Sequence, residues 1–217
     1  MKQFIYLSYT LANNTPIYGG NPKIEIHKVK SIENGDSSNT ELIQFLNHSG
    51  THVDFPYHFD NKGKTLNDYG PFFWFFCNPF LLEISAPENQ IIDLDNELNL
   101  IPDNVDFLLI KTGFGKFRKN DIYWRNNPGL SADLATRLRN RFRNLRVIGV
   151  DFISISAYQH REVGRTAHYK FLIENDFLLV EDMNLEFLHE QPDKVFCFPL
   201  LIEKSSGTPV TVIAELP

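Results

Sequence analysis

Three histidines and an aspartate crowd one short stretch, His48-Ser-Gly-Thr-His52-Val-Asp54-Phe-Pro-Tyr-His58, in a chain that holds only seven histidines. Imidazole nitrogens and carboxylate oxygens are the side-chain donors that suit borderline divalent cations. The expectation is a divalent metal centre with His48, His52 and Asp54 among its ligands. A cation held there lowers the pKa of a bound water towards neutrality, supplies hydroxide and polarises a carbonyl oxygen. Hydrolysis of an amide also needs a proton carrier for the departing nitrogen. His58 is expected in that role, because imidazole titrates near neutral pH and this one stands past the Pro56 bend.

The backbone must bring these groups together. All four lie at even positions, so an extended strand would point them to one face. A straight strand would still leave His48 and Asp54 roughly 20 Å apart, at about 3.3 Å per residue. The segment must therefore curl, and Gly50 is where glycine's tolerance of left-handed geometry allows it. Gly50, Thr51, Val53 and Pro56 disfavour a long helix. The pattern predicts a strand end running into a tight loop.

The same stretch, continued to Phe59, resembles the HxGTHxDxPxHF signature of the cyclase family of metal-dependent hydrolases, which includes bacterial kynurenine formamidases and isatin hydrolases. The likeness extends over nearly the whole chain. Thr15-Pro-Ile-Tyr18-Gly-Gly-Asn21-Pro22 is similar to an early family stretch, with Gly19 in place of a proline and Asn21 in place of an aspartate. Leu109-Ile-Lys-Thr112-Gly113, Pro128-Gly129-Leu130-Ser131 and Ile148-Gly149-Val150-Asp151 match later family segments in order.

The resemblance implies an α/β fold of the swivelling β/β/α type, one domain over residues 1–217 with a mostly β core and flanking helices. It implies further ligands at His168 and Glu181, which stand thirteen residues apart, with His160 as the alternative to His168. It gives His58 the proton-shuttle role and Tyr18 an aromatic substrate contact. It also implies zinc, as one or two ions, in preference to manganese, and a homodimer or larger homo-oligomer. Asp54 would bridge two ions if His168 and Glu181 hold a second. The activity implied is cleavage of a C–N amide bond in a small aromatic substrate, most plainly that of an arylformamidase. Cyclic-amide hydrolysis of the isatin type is the enzymatic alternative, and a metal- or ligand-binding protein without turnover the non-enzymatic one.

Composition fits this reading. The chain has 217 residues, 42% hydrophobic and 22% charged, with a net charge of −6. That balance argues against a nucleic-acid surface, which needs clustered Lys and Arg. The basic run Arg137 to Arg146 carries Leu134, Leu138, Phe142 and Leu145 at helical spacing and reads as the solvated face of an amphipathic helix. Cys77 and Cys197 sit in apolar surroundings and are expected to be buried free thiols. No apolar run approaches a membrane span and the N-terminus is too polar for a signal peptide, so a cytoplasmic protein without membrane contact is expected.

Strands are predicted at residues 5–11, 23–29, 40–45, 80–84, 107–111, 147–150, 177–180 and 195–202, with a turn at Asn34-Gly35. Helices are predicted at 131–142, with Ser131 as N-cap, and between Arg165 and Glu174. The run from Phe72 to Phe76 reads either as core or interface packing or as an aromatic pocket wall.

Overall fold

The computed structural model describes residues 2–20 and 22–217, so Asn21 of the early motif lies outside the described residues. In chain order the strands are β1 (Gln3–Tyr6), β2 (Glu25–Lys30), β3 (Thr40–Gln44), β4 (His52–Asp54), β5 (Phe75–Phe76), β6 (Pro79–Glu83), β7 (Ile91–Ile92), β8 (Phe107–Lys111), β9 (Gly129–Leu130), β10 (Val147–Val150), β11 (Leu178–Glu181), β12 (Lys194–Pro199) and β13 (Gly207–Leu216). Among the described residues the α-helices are α1 (Ile122–Arg125), α2 (Ala132–Arg141) and α3 (Arg161–Tyr169), with short 3-10 turns between elements and a π-helical turn at Lys170–Glu174 extending α3.

The main sheet runs β5-β12-β13-β4-β11-β10-β8-β6, with β1 paired to β13. Its β6, β8, β10 and β11 are parallel, and β4 joins β11 and β13 in antiparallel fashion. The parallel strands read as continuous apolar runs because both faces are covered. Leu108, Ile110, Ile148, Val150 and Leu179 pack on the side of α2 and α3. Phe107, Leu109, Val147, Leu178 and Val180 pack on the other, against Val53, Phe55 and Val212. The fold is α/β with a mostly β core, as expected.

Helix α2 follows its sequence pattern. Ser131 Oγ accepts the Leu134 N–H at 3.2 Å, Asp133 lies in the first turn, and Leu134 and Leu138 are buried. Three arginines of the basic run, Arg146 among them beyond the helix, are occupied within the chain. Arg137 pairs with Asp93 and Asp95, Arg139 donates to the carbonyls of Leu145 and Asn175, and Arg146 donates to those of Phe73 and Phe75.

Several expectations need correction. The strands predicted at residues 23–29 and 40–45 form a two-stranded hairpin, β2–β3, separate from the main sheet, leaving Val29, Leu42 and Ile43 more than half exposed. The first strand ends at Tyr6, and β12 stops at Pro199. The long C-terminal strand β13 was not among the predicted strands, because Gly207 and Pro209 interrupt its pattern near the start. The later helix begins at Arg161, earlier than expected. Cys77 is exposed, whereas Cys197 is buried; the edge strand carrying Phe75 and Phe76 ends just before Cys77, leaving it at the surface. The Phe72 to Phe76 run divides: Trp74 and Phe76 are buried, while Phe72 is 92% exposed. Among the described residues no helix is long and apolar enough to cross a membrane.

Candidate metal centre

Strand β4 places His52 and Asp54 on one face, two residues apart, while Val53 turns into the opposite core. Its antiparallel register with β11 sets Glu181 directly opposite His52. Gly50 makes the curl before the strand with φ +66°, and a side chain there would collide with Leu11. Beyond Asp54, Pro56 opens a single 3-10 turn that ends at His58. Helix α3 supplies His168 from the far side, in its last turn.

These side chains converge on one cavity of about 310 Å³, lined in part by Tyr18, His48, His52, Asp54, His58, Phe59, His168 and Glu181. Every site residue predicted from the sequence borders it. The alternative ligand His160 is exposed at the start of α3 and is not part of the lining. None of Phe72 to Phe76 lines it either.

The donor geometry is selective. His52 Nδ1–H donates to the Gly50 carbonyl at 2.8 Å, and His168 Nδ1–H to the Gly164 carbonyl at 3.0 Å. A carbonyl can only accept, so both rings keep a proton on Nδ1 and turn Nε2 into the cavity. His52 Nε2 lies 3.4 Å from Asp54 Oδ1 and 3.6 Å from Glu181 Oε2. His168 Nε2 lies 3.3 Å from Glu181 Oε1 and 3.6 Å from Asp54 Oδ2. Two donors each about 2.1 Å from a tetrahedral ion stand roughly 3.4 Å apart, so these separations fit a shared divalent cation.

His48 is engaged differently. Its Nδ1 lies 2.7 Å from Asp54 Oδ1 and its Nε2 3.1 Å from Ser206 Oγ. Its ring stacks on His58 with centroids 3.9 Å apart. Two donor groups therefore overlap at Asp54: His48, Asp54 and His58 on one side, His52, Asp54 and Glu181 on the other, each with ligand atoms within 4.8 Å of one another.

Burial and charge tune the groups. Burial alone would depress His52 and His168, but hydrogen bonding and charge from Asp54 and Glu181 outweigh it, lifting them to about 9 and about 10. Burial would raise the Asp54 carboxyl; the charge on His48 and hydrogen bonds from His168, His48 and His52 hold it well below the usual carboxylate range. His58 has an open edge, yet the protein mass around its stacked ring pushes it down to about 4, so it is neutral at pH 7. Burial raises the Tyr18 phenol to about 12 and keeps it un-ionised.

A supporting layer was not legible beforehand. Glu181 Oε1 accepts the Ile155 N–H at 2.7 Å and the Ser154 hydroxyl at 3.1 Å. The next residue, Asp182, has a positive φ of 52° and a buried carboxylate gripped by Arg118 (2.8 and 2.7 Å) and the Tyr123 hydroxyl (2.6 Å). Its carbonyl accepts the Thr51 hydroxyl at 2.5 Å, tying the histidine loop to the end of β11. Gly207 lies opposite Asp54, where a side chain would strike the His48 ring. An acidic residue directly after Glu181 was the available hint of Asp182's role; Ser206 and Ser154 carried none.

Comparison with known proteins gives the family and the fold. A family model, Cyclase, described as "Putative cyclase", matches residues 5–157. The kynurenine formamidase of Bacillus mycoides is 28% identical over 222 residues, covering 98% of this chain and 97% of that protein. The kynurenine formamidase of Bacillus cereus is 26% identical over 220 residues with the same coverage. The crystal structure of an isatin hydrolase bound to the product analogue thioisatinate superposes with a TM-score of 0.83, at 19% identity, covering 100% of this chain and 93% of that one.

Proposed function

This chain belongs to the Cyclase family, and we propose that it is a metal-dependent hydrolase of aryl formamides. The observation that carries the reading is the set of Nε2-to-carboxylate separations between 3.3 and 3.6 Å among His52, Asp54, His168 and Glu181. Full-length similarity to kynurenine formamidases supports the substrate class.

In this proposal His48, His52, Asp54, His168 and Glu181 hold the metal. Zinc is the preferred ion; where two are bound, Asp54 would be the shared ligand, since its carboxylate lies within reach of His48, His52 and His168. When bound, the cation acidifies a water and polarises the formyl carbonyl. His58, neutral and with an edge open to the cavity, accepts the water's proton and returns it to the departing aniline nitrogen. Stacking on His48 and the edge contact with Phe59 (4.6 Å between centroids) hold its ring. Tyr18 and Phe59 offer aromatic faces to a planar substrate.

The whole chain acts as one domain, in the cytoplasm, as a homodimer; the exposed apolar residues Val29, Leu42 and Ile43 of the hairpin offer surface that a second copy would cover. The deciding experiment offers N-formylkynurenine, formanilide and isatin to protein loaded with zinc or manganese. Release of formate from the formyl compounds is expected. Opening of isatin alone would replace the reading with cyclic-amide hydrolysis, and inactivity on all three would leave a binding protein.

A further inference from the structure

A second, open hollow of about 400 Å³ adjoins the metal cavity: Tyr18, Phe59 and Ser156 line both, and Arg161 and Arg165 line the second alone. Arg161, Arg165 and His168 recur at i, i+4 and i+7 on α3, so they share one face of the helix. At 1.5 Å rise per residue, the turns bearing the two arginines lie about 5 and 10 Å along the axis from the turn bearing His168.

Arg161 is also held in place. Its guanidinium stacks on the Tyr158 ring at 4.0 Å, and Tyr158 meets Tyr18 edge-on at 5.4 Å and Trp124 at 5.2 Å. Stacking fixes the plane of the guanidinium and leaves its N–H groups pointing outward in that plane. Among the described residues Arg161 pairs with no carboxylate. Arg165 reaches Glu162 at 3.0 Å, but both side chains are largely exposed, and such a contact yields readily to a better partner.

We propose that Arg161 and Arg165 form an anion subsite that recognises a carboxylate carried on a short arm beside the aryl amide, and so determine specificity. The inference rests on the arylformamidase reading and assigns the residues that would set its preference for a charged over a neutral aryl formamide. A carboxylate here accepts charge-assisted, paired N–H bonds from a pre-oriented guanidinium. Elsewhere in the cavity, Asp54 and Glu181 oppose an anion.

The test compares 4-(2-formamidophenyl)-4-oxobutanoate with its methyl ester, which keeps the aryl amide and removes the charge. With metal-loaded wild-type protein, kcat/KM should favour the acid by about tenfold or more, through KM. Arg161→Gln/Arg165→Gln should bring the ratio close to one, Arg161→Lys should retain part of it, and added salt should compress it in the wild type. A wild-type ratio near one, or one unchanged in the double variant, overturns the subsite. If neither compound is hydrolysed, the arylformamidase reading fails separately, and calorimetry still decides the subsite. The acid must then bind more tightly than the ester, with the difference erased in the double variant; equal binding refutes it.

Discussion

His52 and His168 each face two carboxylates in a buried pocket, and that pairing makes protons and metal compete for the same nitrogens. Raised to about 9 and about 10, both rings carry a second proton at pH 7 when no metal is bound. Two cationic imidazoles then balance Asp54 and Glu181, and a divalent cation would replace the two protons charge for charge. Metal binding should therefore release up to two protons per ion, and apparent affinity should rise with pH until it passes these values. Calorimetry in buffers of differing ionisation enthalpy checks this; binding without proton release would contradict the assigned donors. His58 is on a different footing: it is neutral near pH 7 and, although it stands within reach of His48 and Asp54, it is assigned the proton rather than the metal. His58→Ala is expected to keep its metal and lose about 10²–10⁴ in kcat. Glu181→Gln should instead lower the metal content found by elemental analysis.

Strands β4 and β11 work as one unit, because their register sets His52 opposite Glu181 and their ends are bound by Thr51 and Asp182. The ion pair of Asp182 with Arg118 is the anchor of that unit, with the carboxylate side chain only 2% exposed. Removing one partner leaves the other buried and uncompensated. Asp182→Ala should cost about 3–5 kcal/mol in urea unfolding, and loss below about 1 kcal/mol would mean that Arg118 finds another partner. Strand β13 contributes through close approach. Gly207→Ala should displace the His48 ring and weaken metal retention, while the fold, judged by far-UV dichroism, persists.

For the molecule as a whole, the centre joins the main sheet to α3, so a bound cation should stabilise both together. At a concentration 100 times its dissociation constant it adds about 2.7 kcal/mol. For a chain of this length that corresponds to a rise in Tm of roughly 5–10 °C, reversed by a chelator. An unchanged Tm would place metal binding outside the folded site. Much of the design was readable from the chain: the His48 to His58 cluster, the buried runs at β8, β10 and β11, and the capped helix α2 all declare themselves through local spacing, polarity and capping. Those signals depend on neighbouring residues, and neighbours in sequence are what a sequence displays. Long-range register is another matter. That Glu181 faces His52, that Ser206 and Gly207 enclose His48, and that the β2–β3 hairpin stands apart from the main sheet depend on contacts between segments far apart in the chain. The backbone energies of alternative registers differ little, and the choice among them comes from packing both faces of one sheet at once.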